Sequence, residues 1–298
     1  MTRVVILGAA GQLGRSLCAV LRPQYDVVEA VRRRPEPGQQ VIDLADPDGV
    51  TASLEALRPE WVIVAGAWCN VDGAETDREA CFRVNVDGPR AAARYAQARS
   101  AWLVYYSSDF VFDGSQPANR EDDPCRPLNA YGQSKAAGEQ VVRQELPDRH
   151  LIVRTTWMYG VDLARKNFVC RLLDELYAGR SLGVPSDLWG TPTYAEDMAA
   201  ATRIMLERGL TGTFHAVGPQ FMSRLAFARL ICEVFGLDPL KLNSKTMAEL
   251  GQPARRPSRV RLDCAKLQAL GVTRFRAPQE GLMALREQLA PAEEVRQP

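Results

Sequence analysis

Residues 6–17, ILGAAGQLGRSL, decide the fold, because they join a short apolar run to three glycines and then to a helix-forming segment. Gly8, Gly11 and Gly14 follow the spacing G-x-x-G-x-x-G. Glycine permits a tight turn and close approach of a ligand to the backbone, and the N–H groups that begin a helix attract phosphate. Three glycines can also build a purely structural turn, but their place after a first strand favours a dinucleotide site.

Beyond this stretch, apolar runs alternate with amphipathic segments through the first half of the chain. Val-, Ile- and Leu-rich runs bounded by turns are typical of parallel strands that are covered on both faces. Their alternation with helices implies right-handed crossovers. We therefore predict an α/β fold with a Rossmann-type doubly wound parallel sheet over 1–158, with contributions from about 212–236, and a smaller, interleaved C-terminal α/β lobe over 159–298. The predicted strands are RVVILGA (3–9), YDVVEAV (25–31), WVIVAGA (61–67), WLVYYSS (102–108) and HLIVRTT (150–156).

Composition narrows the classes of function. The 298 residues include 37 basic and 36 acidic side chains, and this balance disfavours a nucleic-acid-binding surface. No apolar run approaches the roughly 20 residues of a membrane span, and we expect no membrane association. The seven cysteines form no C-x-x-C pair, which indicates a reduced, cytoplasmic protein without a disulfide framework. Because the chain contains only two histidines, His150 and His215, we expect neither a metal site nor Ser-His-Asp catalysis.

The segment after the second predicted strand favours NADP(H) over NAD(H). An NAD-preferring site carries an acidic residue here for the ribose hydroxyls. This chain instead has Arg32, Arg33 and Arg34, and Glu29 lies inside the strand. Guanidinium groups suit a 2′-phosphate, although a run of arginines can also be a solvated loop. Asp43 follows the third apolar stretch, where it could meet the adenine edge or cap the next segment.

The heptad NAYGQSK (129–135) opens a predicted helix and places Tyr131 one turn before Lys135. A lysine ammonium there could lower the tyrosine pKa from its usual value of about 10. Tyr-x-x-x-Lys also occurs in ordinary helices, so the pattern gains its meaning from Ser108 in YYSSDFVFDG (105–114). Ser108 ends the fourth strand, at the sheet edge where open α/β sheets bind ligands. Together these residues predict reduction of a ketone, with hydride from nicotinamide and a proton from Tyr131.

In this order and spacing, the motifs resemble those of an extended short-chain dehydrogenase/reductase, and within it of the dTDP-4-dehydrorhamnose reductase family. The resemblance implies NADPH-dependent reduction of the 4-keto group of a nucleotide-linked 6-deoxy-hexose, a C-terminal lobe that binds the substrate, and possible homodimerisation. It covers nearly the whole chain and rests on GAAGQLG (8–14), AWCNVDGAETD (67–77), FRVNVDG (82–88), SSDFVFDG (107–114), VRTTWMYG (153–160), GTPTYAEDMA (190–199) and ARRPSRVRLDCAKL (254–267).

The resemblance also implies roles for individual residues. Ser108, Tyr131 and Lys135 would be catalytic, with serine where the family usually has threonine. The implied cofactor residues are Gly8, Gly11, Gln12, Leu13, Gly14, Arg32, Arg33, Asp43, Leu44, Ala65, Gly66, Ala67, Tyr131 and Lys135. The implied substrate residues are Trp68, Ser108, Asp109, Phe110, Trp157, Asn167, Arg255 and Arg256.

Simpler interpretations exist for several of these residues: Trp157 could belong to the core, Asn167 could cap a helix, and the arginines could be surface charges. Other functions also compete. Dehydratases of the superfamily use an Asp-Glu pair after the hydroxyl residue, whereas here Phe110 follows Asp109. Epimerases of the superfamily tend to hold NAD tightly and carry an acidic residue after the second strand, where this chain has arginines. The regulatory subunit of methionine adenosyltransferase, which binds NADP and a partner enzyme, shares the arginine run and the SSDxVFDG motif. VRTTWMYG and GTPTYAEDMA favour the reductases, and the identities of the sugar and the nucleotide stay open.

Overall fold

A seven-stranded sheet forms the centre of the protein, in a computed structural model that describes residues 1–272 and 274–293. Its order is β11-β6-β5-β4-β1-β2-β3, and every neighbouring pair is parallel. The reversal of strand order between β1 and β4 confirms the predicted doubly wound topology. The strands are β1 Arg3–Leu7, β2 Asp26–Val31, β3 Gln40–Val41, β4 Trp61–Val64, β5 Trp102–Ser108, β6 His150–Thr155, β7 Met158–Tyr159, β8 Leu182–Pro185, β9 Trp189–Gly190, β10 Thr193–Tyr194, β11 Gly212–His215, β12 Met222–Ser223 and β13 Leu242–Lys245.

Helices cover both faces of this sheet because successive strand residues point to opposite sides. Val4 and Ile6 pack towards α1 and α8, whereas Val5 and Leu7 pack towards α2, α5 and α6. A π-helical segment, Arg83–Asp87, joins α4 to α5. The helices are α1 Gln12–Leu21, α2 Pro47–Leu57, α3 Val71–Thr76, α4 Arg78–Phe82, α5 Gly88–Arg99, α6 Ala130–Glu145, α7 Phe168–Tyr177, α8 Ala195–Glu207, α9 Arg224–Phe235, α10 Ala265–Ala269 and α11 Pro278–Glu293.

A second apolar core lies outside the sheet, among α7, α9, α11 and β8. Three small sheets accompany this lobe: β7 with β10, β8 with β13, and β9 with β12. The packing differs from the predicted division in two places. Within 212–236 only β11 joins the main sheet, because α9 buries its apolar face in the second core; α8, by contrast, packs on α1. The last five residues of the predicted lobe, 294–298, lie outside the described residues.

The strand ends bring distant parts of the sequence to one edge of the sheet. Register pairs Leu7 with Val64, and Ser108 with Thr155, so β1, β4, β5 and β6 finish close to one another. The loops that follow these strands therefore meet at the topological switch point, where α/β sheets bind ligands. Within 1–272 and 274–293, no helix combines the length and apolar character that a membrane span requires.

Candidate active site

The loop after β1 can be built only from glycine at two positions. Gly8 has φ +93°, and a Cβ placed on it would lie 2.4 Å from the backbone nitrogen of Gly66. A Cβ on Gly14 would lie 2.2 Å from the carbonyl oxygen of Gly8. Gly11 precedes α1 and provides no side-chain cap, so the first N–H groups of the helix are available to donate hydrogen bonds to a ligand. The loop and the helix that begins with Gln12 and Leu13 therefore fit the pyrophosphate of a dinucleotide.

The loops after β3 and β4 form the walls beside this turn. The backbone N–H groups of Ala65 and Gly66 donate to the carbonyl oxygen of Leu7 at 2.9 and 2.7 Å, which holds residues 65–67 against the glycine loop. Leu44 is buried behind Gly66. The Asp43 carboxylate accepts the backbone N–H of Ala45 at 3.0 Å, whereas the residue that caps α2 is Asp46. A role for Asp43 at the adenine edge stays a prediction.

Arg32 and Arg33 lie exposed directly after β2, where the 2′-phosphate of an adenosine ribose would bind. Among the ion pairs of the described residues, none involves either side chain. Glu29 is already engaged, since its carboxylate accepts hydrogen bonds from Gln39, at 2.7 Å, and from Arg22. The Glu29 carboxylate, which could have favoured NAD, is therefore hydrogen-bonded within the protein. The guanidinium groups of Arg32 and Arg33 are suited to a 2′-phosphate.

Ser108 and Tyr131 meet at the carboxyl end of β5. Ser108 is 7% exposed; its Oγ donates to Oδ1 of Asp109 at 3.0 Å and accepts the backbone N–H of Phe110 at 3.2 Å. The rings of Phe110 and Tyr131 pack edge to face, with centroids 5.6 Å apart. Burial raises the pKa of Tyr131 well above 10, and the neighbouring Ser108 hydroxyl opposes that rise only in part. Tyr131 therefore holds its proton, as a proton donor must.

Lys135 lies one helical turn beyond Tyr131, but its contact differs from the predicted one. Its Nζ stands 4.1 Å from the centroid of the Tyr105 ring, and the side chain is 2% exposed. In the part of the chain that the structure describes, no hydrogen bond joins Lys135 to Tyr131. Burial lowers the pKa of Lys135 to about 8, and burial also dominates the pKa of Tyr131. The expected lowering of the tyrosine pKa is therefore absent here, because desolvation of the phenolate outweighs the nearby cation.

Asn85, for which the sequence predicted no role, joins α6 to the loop after β4. It lies in the π-helical segment and is 1% exposed. Its Nδ2 donates to Ser134 Oγ at 2.9 Å and to the carbonyl oxygen of Trp68 at 3.1 Å, while its Oδ1 accepts the Trp68 N–H at 2.9 Å. These bonds tie α6 to the loop after β4, and both Trp68 and Tyr131 pack against one small apolar cluster, Ala74, Cys81 and Ala130. The sequence signal for Asn85 was its place in FRVNVDG, one of the motifs that carry the resemblance.

Asp109 is buried between two hydroxyl groups. It is 4% exposed, and it accepts hydrogen bonds from Ser108 Oγ at 3.0 Å and from Thr156 Oγ1 at 2.7 Å. Burial raises its pKa to about 6, although both hydroxyls favour the carboxylate. Thr156, a second residue without a predicted role, thus fixes the carboxyl group that the resemblance placed beside the substrate.

Trp157 follows with a left-handed backbone, φ +44°, which is rare for a bulky residue and marks a strained position. A Cβ on Gly190 would lie 2.4 Å from Cε2 of Trp157, so this glycine makes room for the ring. The guanidinium of Arg224 lies 3.5 Å from the centroid of the indole. The ring that the resemblance assigned to substrate binding is therefore partly covered by a cation.

The other residues predicted to bind the substrate form hydrogen bonds or ion pairs within the protein. Asn167 caps α7 by accepting the Cys170 N–H at 2.9 Å, and its Nδ2 donates to Oε1 of Gln12 at 2.9 Å, which links the lobe to the glycine loop. Arg256 forms an ion pair with Asp72 at 2.8 Å. Arg255 is exposed, and its carbonyl oxygen accepts a hydrogen bond from Asn129 at 2.8 Å. Roles for these residues in substrate binding stay predictions.

Groups of three or more His, Cys, Asp and Glu side chains that could hold a metal ion are absent from residues 1–272 and 274–293. All seven cysteines are free thiols.

Known proteins similar to this chain include sugar-nucleotide reductases and a subunit of methionine adenosyltransferase. A dTDP-4-keto-6-deoxy-D-glucose reductase from Streptomyces niveus is 35% identical over 238 residues, 80% of each chain. Methionine adenosyltransferase 2 subunit beta from Pongo abelii is 31% identical over 91% of this chain and 83% of its own length. The structure of a dTDP-4-dehydrorhamnose reductase from Bacillus anthracis in complex with NADP superposes with a TM-score of 0.88 at 30% identity, and the alignment covers 97% of this chain and 100% of that one.

A family model spans almost the whole sequence. The model described as the RmlD substrate binding domain matches residues 1–290, which include the glycine loop, the catalytic helix and the second lobe. The chain therefore belongs to the RmlD substrate binding domain family of extended short-chain reductases.

Proposed function

We propose that this protein reduces the 4-keto group of a nucleotide-linked 6-deoxy-hexose with NADPH. The observation that carries the proposal is the meeting of Ser108, Tyr131 and Lys135 at the sheet edge where the glycine loop also ends. The names of the relatives support it, since reductases of such sugars are among them and the Bacillus anthracis protein holds NADP.

The chain's own residues supply the proton and its control. Ser108 Oγ–H, which donates to Asp109 in this structure, would turn to the oxygen of the substrate carbonyl. Tyr131, which burial keeps protonated, would donate its proton to the same oxygen. Reduced nicotinamide, when bound, supplies the hydride. Lys135 is a buried cation near neutral pH, and its charge favours the negative oxygen that develops before the proton arrives.

Turnover with a panel of 4-keto-6-deoxy sugars tests this function. Oxidation of NADPH, followed at 340 nm, should accompany reduction of at least one dTDP-, GDP- or UDP-linked sugar, with the alcohol identified by mass spectrometry. NADP binding without turnover of any member would refute the reductase function. A catalytically silent protein that instead co-purified with a methionine adenosyltransferase would match the relatives that are its beta subunit.

The two exposed arginines after β2 predict the cofactor preference. Replacing both Arg32 and Arg33 with alanine should weaken NADPH binding about 10- to 100-fold, because a charge-assisted hydrogen bond contributes roughly 1.5–3 kcal/mol and these side chains are exposed. NADH, which lacks the 2′-phosphate, should bind the variant and the parent protein equally well. Calorimetric titration with both cofactors measures the ratio.

Arg94→Ala is the matched control, since this arginine is also exposed and lies on α5 in an ion pair with Glu145. It should leave both affinities unchanged. Equal losses of NADPH and NADH affinity in the double variant would show that the arginines do not recognise the 2′-phosphate.

Two further properties belong to the same proposal. The free thiols are compatible with a reducing, cytoplasmic setting, and the family resemblance supports a homodimer. Analytical ultracentrifugation with and without NADP tests the second property.

A further inference from the structure

Arg224 is a cation of the substrate lobe that the sequence did not single out. It is the first residue of α9, and its backbone N–H donates to the carbonyl oxygen of Leu188 at 2.8 Å. The guanidinium carbon lies 3.5 Å from the centroid of Trp157 and 4.5 Å from that of Phe168. The side chain is half-buried, so two aromatic rings hold the cation in one place at the cleft.

The stacked guanidinium keeps its hydrogen-bond donors available. In the described part of the chain, the Arg224 side chain takes part in no hydrogen bond or ion pair, although the charge of Asp109 lies near enough to favour its protonated form. Burial lowers the pKa of Arg224 to about 9, which leaves it cationic at neutral pH. A guanidinium that stacks by its face directs its N–H groups outwards along its edge, where a phosphate or carboxylate can bind in bidentate fashion.

Other charges show what kind of ligand suits this position. Arg171 and Arg256 both act on Arg224 electrostatically, and Arg256 is paired with Asp72. Within this cluster three guanidinium groups face two carboxyl groups, Asp72 and Asp109, so positive charge is in excess. A diphosphate matches that excess, whereas a neutral sugar hydroxyl does not.

Two features of the neighbouring chain position the Trp157 ring beneath the guanidinium of Arg224. Gly190 leaves the space that Trp157 occupies, and Trp157 adopts a left-handed backbone to reach it. Strain of this kind persists where the surrounding structure holds it, and it is frequent at ligand sites.

We propose that Arg224 is a substrate-binding residue that holds the diphosphate of the nucleotide-linked substrate through the edge of its stacked guanidinium. The proposal rests on the proposed function for the identity of the substrate. The cofactor's pyrophosphate belongs to a different place, the start of α1, so the two anions do not compete for one group.

Binding of dTDP, measured by calorimetry with NADP⁺ present, tests the proposal without turnover. Arg224→Met keeps an apolar side chain against the rings but removes the charge, and we expect it to weaken dTDP binding about 10- to 100-fold. Arg224→Lys restores the charge without the planar edge and should recover only part of the affinity. The KM for the sugar nucleotide should rise accordingly, while kcat changes only a few-fold. Thymidine, which has no phosphate, should bind all variants alike.

Arg180→Met is the matched control, because Arg180 is an exposed arginine of the same lobe and pairs with Glu175. It should bind dTDP like the parent protein. Unchanged dTDP affinity in Arg224→Met would overturn the inference even if the parent protein reduced a keto-sugar. Equal weakening of NADP⁺ binding would overturn it too, by assigning Arg224 to the cofactor. If the parent protein turned over no sugar but bound dTDP through Arg224, the proposed function would fail and the anion site would stand. Should Arg224→Met not fold, the dTDP affinity of Arg224→Lys decides.

Discussion

Replacing Tyr131 with phenylalanine is expected to lower kcat by about 10²- to 10⁴-fold, the usual contribution of a positioned general acid. The hydroxyl that would donate the proton is lost, while the ring keeps its edge-to-face contact with Phe110, at 5.6 Å between centroids. NADPH binding should survive, because the glycine loop and the start of α1 are untouched. Single-turnover measurements of NADPH oxidation, with calorimetry for binding, separate the two effects.

Tyr95→Phe provides the matched control for this variant. Its hydroxyl is also buried, and it donates to the carbonyl oxygen of Pro59 at 3.2 Å, between α5 and the segment before β4. This variant should lose some stability and keep its kcat. Near-normal turnover in Tyr131→Phe would show that another group donates the proton.

The sheet and the glycine loop could be predicted from the sequence because both depend on local chemistry. Buried parallel strands require continuous apolar runs, and these appear in the order that the topology uses. Gly8 has a left-handed backbone and a Cβ on Gly14 would collide with the carbonyl oxygen of Gly8, so both glycines follow from a turn of a few residues. Ser108 ends β5, where the apolar run ends, whereas Tyr131 lies on α6 and its position also depends on the intervening residues 109–129.

The rest of the site depends on contacts between distant segments. Arg224 lies 67 positions after Trp157, and only the packing of α9 against the loop after β6 brings the cation over the ring. Asn85 likewise acquires its function from Trp68 and Ser134, which belong to two other elements. The pKa of Tyr131 was misjudged for a related reason: the spacing to Lys135 is visible in the sequence, whereas the burial that dominates the pKa is not.

A buried ion pair beneath the active site should have the largest effect on stability. Arg154 and Glu139 are 1% and 0% exposed, and they form a bidentate salt bridge. Nε of Arg154 donates to Oε1 of Glu139 at 2.8 Å, and its Nη2 donates to Oε2 at 2.7 Å. Arg154 also donates to the carbonyl oxygen of Glu121 at 2.9 Å and contacts Nε2 of His215 at 3.3 Å. Glu139 also accepts a hydrogen bond from the partly exposed Arg143 at 2.6 Å. Removal of Glu139 therefore leaves the buried guanidinium of Arg154 without a carboxylate partner.

Glu139→Gln is therefore expected to reduce the free energy of unfolding by about 3–5 kcal/mol, measured by urea denaturation. Glu139→Gln combined with Arg154→Met should lose clearly less than the two single losses added together, because the double variant buries no unpaired charge. Glu175→Gln, in an exposed pair with Arg180, should change nothing measurable. Additive losses in the double variant would contradict the coupling of Arg154 with Glu139.

The same pair sets the direction of the response to acid. Burial alone would raise the pKa of Glu139, but the hydrogen bonds and charge of Arg154 hold it below 4.5. Burial, helped by Arg154, lowers the pKa of His215 from 6.5 to about 4. Both groups bind protons more readily in the unfolded chain and destabilise the fold on acidification, whereas Asp109, whose pKa burial raises to about 6, acts in the opposite direction. A His215→Asn variant isolates the histidine: the stability of the parent protein relative to this variant should fall as the pH drops from about 6.5 through 4. Urea titrations of both proteins at several pH values check this slope, and a difference that stayed level or rose on acidification would mean that His215 is not buried as the structure places it.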